Sequence, residues 1–170
     1  LYAVTFRMVD PLYVVDLADS TDPRIAAALE LPGLSEYLHP LPSGLLLGFG
    51  KDAKPTGTMG DGQGAWYQGL QLSLYDVRDL GKPRELQRVL IGKRGSDSAL
   101  LRDHHAFAAL LQADGTGTVA FPVRVADGQL PLYGSGDSAT YPWQWSGLAR
   151  YALQGTTAAD ARLVEMPSLV

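Results

Sequence analysis

A net charge of −4 over 170 residues, with the 14 Lys and Arg scattered along the chain, excludes the clustered basic surface that nucleic-acid binding needs. Cysteine is absent, which removes disulfides, thiolate chemistry and Cys-based zinc sites, and no apolar run approaches the ~20 residues of a membrane-spanning helix. With 46% apolar and 19% charged residues the chain can bury one core, and its 19 Gly and 11 Pro favour many short elements joined by turns.

In chain order, strands are expected over residues 2–7, 12–17 and 25–31, then 35–41, 44–50, 69–77 and 85–91, then 104–111, 117–125, 145–153 and 161–166. Helix is expected to be negligible, limited to single turns at 97–101 and 158–162. An internal repeat organises the strands. Residues 12–24, LYVVDLADSTDPR, return as 72–84, LSLYDVRDLGKPR, so that Asp16, Asp19, Pro23 and Arg24 match Asp76, Asp79, Pro83 and Arg84. Each copy reads as a strand, an Asp-x-x-Asp turn, a Pro and a second strand. A weaker third copy closes the chain.

Four strands per unit make a propeller blade. The predicted fold is all-β, a part of a β-propeller with about three four-stranded antiparallel blades. Blade 1 covers residues 1–33 and lacks its inner strand, blade 2 covers 34–92, and blade 3 covers 103–167. Strands within a blade are named a to d from the inside outward. Three blades cannot close a ring, and the chain opens at Leu1, so a fragment of a longer protein is expected. Bare edges and apolar end faces would then drive self-association, with Val4 and Phe6 at one end and Leu163 and Met166 at the other.

The segments TFR at 5–7, DPLYVVDL at 10–17 and LPGLSEYLHP at 31–40 resemble the bacterial and archaeal secreted proteins with a C-terminal β-propeller domain, distantly WD-repeat-like. The later segments LQLSLYDV at 70–77, GSDS at 95–98 and DHHAF at 103–107 fit the same pattern, and the resemblance weakens after about residue 126. It implies a propeller and an extracytoplasmic setting, either secreted, periplasmic or at the cell surface. That family carries no established activity, so the resemblance implies no catalytic residues and no cofactor.

Strand alternation sends the b–c and d–a loops to one face of the blades and the a–b and c–d loops to the other. The long loops, at 51–68, 92–103 and 126–141, all fall on the first face, and one-sided insertions mark a binding face. Arg94, Asp97, Asp103, His104, Tyr133 and Tyr141 are the candidate ligand-binding residues there. The glycine-rich run at 56–64 is followed by a strand, not by the helix N-terminus a phosphate cradle needs, and reads as a mobile hairpin insertion. Trp143 and Trp145 are read as sharing one strand face and packing between blades. His39 and His105 are read as equivalent positions on two inner strands, with hydrogen-bonding roles in preference to metal ligation, because no ligand spacing is recognisable. The recurrence of Asp16/Asp19 as Asp76/Asp79 marks turn chemistry, not a catalytic carboxylate pair.

Three functions fit these features. The first is a non-catalytic binding or scaffold module for a protein or saccharide ligand. The second is a hydrolase or lyase on saccharide or peptide using Asp97, Asp103, His104 and His105, which for glycoside hydrolysis needs two carboxyl groups roughly 5–10 Å apart. The third is a structural domain supporting another.

Overall fold

The computed structural model describes residues 1–5, 11–31, 33–55 and 65–170. Phe6 and the glycine-rich run at 56–64, for which mobility is expected, lie outside the described residues. Among the described residues, eleven strands form three antiparallel sheets. The first holds β1 (Tyr2–Ala3), β2 (Pro11–Asp16) and β3 (Arg24–Glu30) in that order. The second holds β4 (Leu34–Leu41), β5 (Leu45–Pro55), β6 (Ala65–Asp76) and β7 (Arg84–Ile91), and the third β8 (Ala108–Leu111), β9 (Gly117–Ala126), β10 (Trp143–Gln154) and β11 (Arg162–Leu169). The helical residues among those described are four single 3-10 turns. Each sheet is an up-and-down meander, the plan of a propeller blade. Blade 1 shows three strands, its inner position unfilled by any described residue.

Burial patterns say how the blades stack. On β9 burial alternates, with Val119, Phe121, Val123 and Val125 inward, because one sheet face packs on a neighbour. On β6 the run from Gly69 to Asp76 is buried at every position, because blade 2 is covered on both faces. Toward blade 3 it presents Leu45, Leu47, Phe49, Leu70, Leu72 and Leu74, which meet Phe121, Tyr151 and Leu153. Toward blade 1 it presents Leu46, Tyr75 and Val77, which meet Leu12. Gly50 stands opposite Ser35 beside a bulge in the β4–β5 pairing, and a Cβ there would collide with the Leu34 carbonyl oxygen. The close approach of these strands therefore demands glycine.

The repeat is realised as one turn built twice. Asp16 accepts from the Ala18 N–H at 2.9 Å and Asp19 from the Thr21 N–H at 2.9 Å. Asp76 accepts from the Arg78 N–H at 3.3 Å and Asp79 from the Gly81 N–H at 3.0 Å. The registers agree too, with Asp16 opposite Arg24 and Asp76 opposite Arg84. Only the blade 2 copy carries the ion pairs of Asp76 with Arg78 and Arg84, since blade 1 has Ala18 at the matching position and its Arg24 turns to Asp22.

Several expectations are corrected. The inner strand of blade 3 does not start at 104. Residues His104–Ala106 form a 3-10 turn, started by Asp103, whose carboxylate accepts from the His105 N–H, and the strand begins at Ala108. The segment 51–68 is largely not a loop, because β5 and β6 run on as a ribbon paired as far as Pro55 and Ala65. Residues 158–160 make a turn rather than a helix. Leu163 is buried against blade 2, and Val4 packs on the core between blades 1 and 2, so neither lies on an end face. Leu110, 75% exposed, sits on the sheet face of blade 3 turned away from blade 2, as does Met166, which pairs with Arg150.

At the outer rim the two blades are clasped by one side chain. The Gln87 amide donates to the Leu163 carbonyl at 3.0 Å, and the Leu163 N–H donates to Gln87 Oε1 at 2.7 Å. Replacing Gln87 by Leu leaves both backbone groups of a buried residue unpaired, and the expected loss is about 1–3 kcal/mol of unfolding free energy. Urea denaturation checks this, and an unchanged midpoint would mean that apolar contact alone holds the blades together.

Candidate functional site

Three segments converge on one face, between blades 2 and 3: the β5–β6 ribbon, the d–a linker after β7, and the b–c insertion between β9 and β10. The linker leaves β7 at Gly92, whose φ of 64° is in the left-handed region where glycine is favoured. The Lys93 N–H then donates to the Ala126 carbonyl at 2.6 Å, and the Tyr141 N–H donates to the Arg94 carbonyl at 2.9 Å. Ser96 Oγ is inserted between the Ala126 N–H and carbonyl. This sews the linker into the insertion. The insertion reaches back to the ribbon through an ion pair of Lys54 with Asp137 at 2.9 Å and a hydrogen bond from the Gln68 amide to the Asp137 carbonyl at 2.9 Å.

The two consecutive basic residues of the linker each lie over an aromatic ring, one from each blade. The Arg94 guanidinium stands 4.6 Å from the Trp66 ring, and donates to the Tyr67 carbonyl and to Thr140 Oγ1. The Lys93 ammonium stands 4.8 Å from the Tyr141 ring and pairs with Asp127 at 3.0 Å. Cation–π contacts of this kind contribute about 0.5–2 kcal/mol each. Together these contacts frame a recess of about 240 Å³ opening to solvent, lined among others by Asp52, Lys54, Gln68, Lys93, Asp137 and Tyr141. Asp137 holds the Lys54 ammonium above its ordinary pKa through their hydrogen bond.

Of the six residues nominated from sequence, Tyr141 lines this recess, and Arg94 adjoins it, its guanidinium held by Trp66, Tyr67 and Thr140. The other four lie elsewhere. Tyr133, 67% exposed, pairs through its backbone with Thr140 and does not line the recess. Asp97 is bound by Arg102 at 2.7 Å, which lowers its carboxyl pKa. Asp103 caps the following turn and holds the His105 ring at 3.0 Å, and its carboxyl is likewise lowered, first by the His105 N–H. Asp97 and Asp103 thus each have a basic partner of their own, Arg102 for the first and His105 for the second.

His104 instead joins an aromatic cluster where β4 meets the linker. Tyr37 lies 4.9 Å from His104, its hydroxyl is 2.8 Å from His39 Nδ1, and His39 lies 4.7 Å from Phe107. Burial lowers the His39 pKa and raises that of Tyr37. His39 and His105 are therefore not equivalent, since His105 points to solvent from a 3-10 turn. The two tryptophans also part company. A register shift falls between them, Trp143 is 57% exposed and donates to Ser146 Oγ, and only Trp145 packs against the core.

Sequence reasoning missed Asp52, Gln68, Lys93 and Trp66 as site residues. Their one visible signal is position: Trp66 and Gln68 flank a glycine-rich insertion on the long-loop face, and Lys93 adjoins Arg94 at the densest basic point of the chain.

A family model described as "Beta propeller domain" matches residues 1–167. An uncharacterised protein of Methanocaldococcus jannaschii is 36% identical over 106 residues, 62% of this chain and 15% of that protein's length. An uncharacterised protein of Archaeoglobus fulgidus is 35% identical over 106 residues, 62% of this chain and 14% of its own length. The matched region thus spans about one seventh of these curated relatives. No solved structure matches the chain.

Proposed function

The chain belongs to the β-propeller domain family, and from that membership we propose that it acts as a non-catalytic binding module whose ligand seat is the recess between blades 2 and 3. The observation that carries this reading is the knitting of three segments, a strand ribbon, a linker and an insertion, around one solvent-open recess. Arg94 and Lys93 are each held by an aromatic ring and by hydrogen bonds, so the rim is organised before any ligand arrives. The uncovered face of blade 3, with exposed Leu110, fits a further blade in a longer protein. The resemblance to secreted propeller proteins supports an extracytoplasmic setting.

The test is a titration of the isotopically labelled chain with separate pools of neutral oligosaccharides, acidic oligosaccharides and tetrapeptides, followed by amide chemical shifts. Shifts are expected to gather at Asp52, Gln68, Lys93, Gly136 and Tyr141. Arg94→Ala, which removes the guanidinium from Trp66 and from two acceptors, should weaken the bound pool about tenfold or more. Shifts confined to another surface, or conversion of a pool to product, would overturn the reading.

A further inference from the structure

We propose that the recess between blades 2 and 3 seats a neutral, hydroxyl-rich ring, that is, one unit of a saccharide. This rests on the recess being the ligand seat.

The argument starts from charge. The lining holds two carboxylates, Asp52 and Asp137, and two ammonium groups, Lys54 and Lys93, so its formal charge cancels. Both ammonium groups are already engaged: Lys54 with Asp137 at 2.9 Å, and Lys93 with Asp127 at 3.0 Å, with the Gly128 carbonyl at 3.2 Å and with the Tyr141 ring. An anionic ligand would have to break these pairs. A cationic ligand would meet the Asp52 carboxylate but also two ammonium groups in the same small volume, so the lining offers it no net attraction.

The open hydrogen-bonding capacity lies on the acceptor side. The Asp52 carboxylate makes no hydrogen bond and no ion pair to any described residue, and the field of the nearby Lys54 ammonium acts on it. Gln68 spends its amide N–H groups on the carbonyls of Trp66 and Asp137, and its Oε1 accepts from no described residue. A carboxylate and an amide oxygen turned to one recess call for several O–H donors on an uncharged body, which is the chemistry of a sugar. The Tyr141 ring and Leu90 add apolar surface against which the C–H face of a sugar ring can lie. The volume, about 240 Å³, is below the roughly 300–1,000 Å³ of sites that enclose a drug-sized molecule. One ring fits, with the rest of an oligosaccharide leaving through the open side.

The experiment is calorimetric titration of the chain with neutral glucan and mannan oligomers, oligogalacturonates, chitosan oligomers and tetrapeptides, for the wild type, Asp52→Ala and Asp52→Asn. The expected result is binding of a neutral oligomer. Asp52→Ala should weaken it about tenfold or more with an unchanged melting temperature, and Asp52→Asn, which keeps an acceptor, should retain more affinity than Ala. If the charged oligomers or the peptides bind instead, and Asp52→Ala weakens them, the assignment to a neutral saccharide fails while the ligand seat stands. If a neutral oligomer binds equally to all three proteins, the assignment of Asp52 and of the recess fails together.

Discussion

Replacing Phe121 by Ala is expected to destabilise the protein by about 3–5 kcal/mol, the range for truncating a wholly buried aromatic ring. Phe121 has no exposed surface and stands at the middle of the core between blades 2 and 3. Its ring lies 4.7 Å from Phe49 across the blade interface, at a tilted 57°, and 6.0 Å from Tyr151 within blade 3, nearly parallel at 13°. The loss therefore combines transfer of the ring, the cavity left between two sheets that cannot both relax into it, and two aromatic contacts. Phe121→Leu, which keeps much of the volume, should cost markedly less. Urea unfolding of both variants measures the difference. A Phe121→Ala loss below about 1 kcal/mol would mean that the blades are not docked through this ring. The same variant should weaken the binding proposed for the recess, because the recess is built from both blades.

Acid titration of stability should expose Asp76 as the second large contributor. Its carboxylate is 8% exposed by residue, accepts from Arg78 at 2.8 and 2.9 Å and from Arg84 at 3.3 Å, and also caps the Arg78 N–H. The Arg78 side chain is the main cause holding its pKa down at about 2. The folded pKa lies below the unfolded one, so the folded state favours the ionised form. The contribution is present in full above the unfolded value near 3.9, and is lost as pH falls toward the folded value near 2. The shift corresponds to about 2 kcal/mol, appearing as a fall in unfolding free energy between about pH 5 and pH 2. Asp76→Asn should flatten that part of the profile and lower neutral-pH stability by a comparable amount. Asp16→Asn in the matching turn of blade 1 should do much less, since among the described residues no arginine pairs with Asp16 and Arg24 turns to Asp22. If the two variants have equal profiles, the arginine pairs of Asp76 contribute nothing to stability.

The contrast between Asp16 and Asp76 shows how far local pattern reaches. The Asp-x-x-Asp turns are legible because a capped turn is made from residues two apart, and the repeat matches Asp16 and Arg24 to Asp76 and Arg84, pairs that the structure then sets opposite one another in both blades. The depth of the two sites differs for reasons in the neighbours: Arg78 against Ala18, and a blade buried on both faces against one that is not.

Strand number, blade order and the face carrying the long loops follow from alternation, turn residues and an internal repeat, all of them local in the chain, and these the sequence determined by itself. The inner strand of blade 3 was misplaced because Asp103 caps a 3-10 turn at His104–Ala106, a competition between side chain and ladder that apolar pattern does not reveal. The ribbon to Pro55 and Ala65 was read as loop because its residues are half solvated and lack a clean alternation. The recess was decided by tertiary structure alone. Arg94 and Trp66 are 28 positions apart, Lys54 and Asp137 are 83 apart, and Gln87 and Leu163 are 76 apart. Such pairs meet because burial of the leucines of blade 2 against Phe121 and Tyr151 sets two sheets face to face, and no spacing in the sequence encodes where their edges then fall.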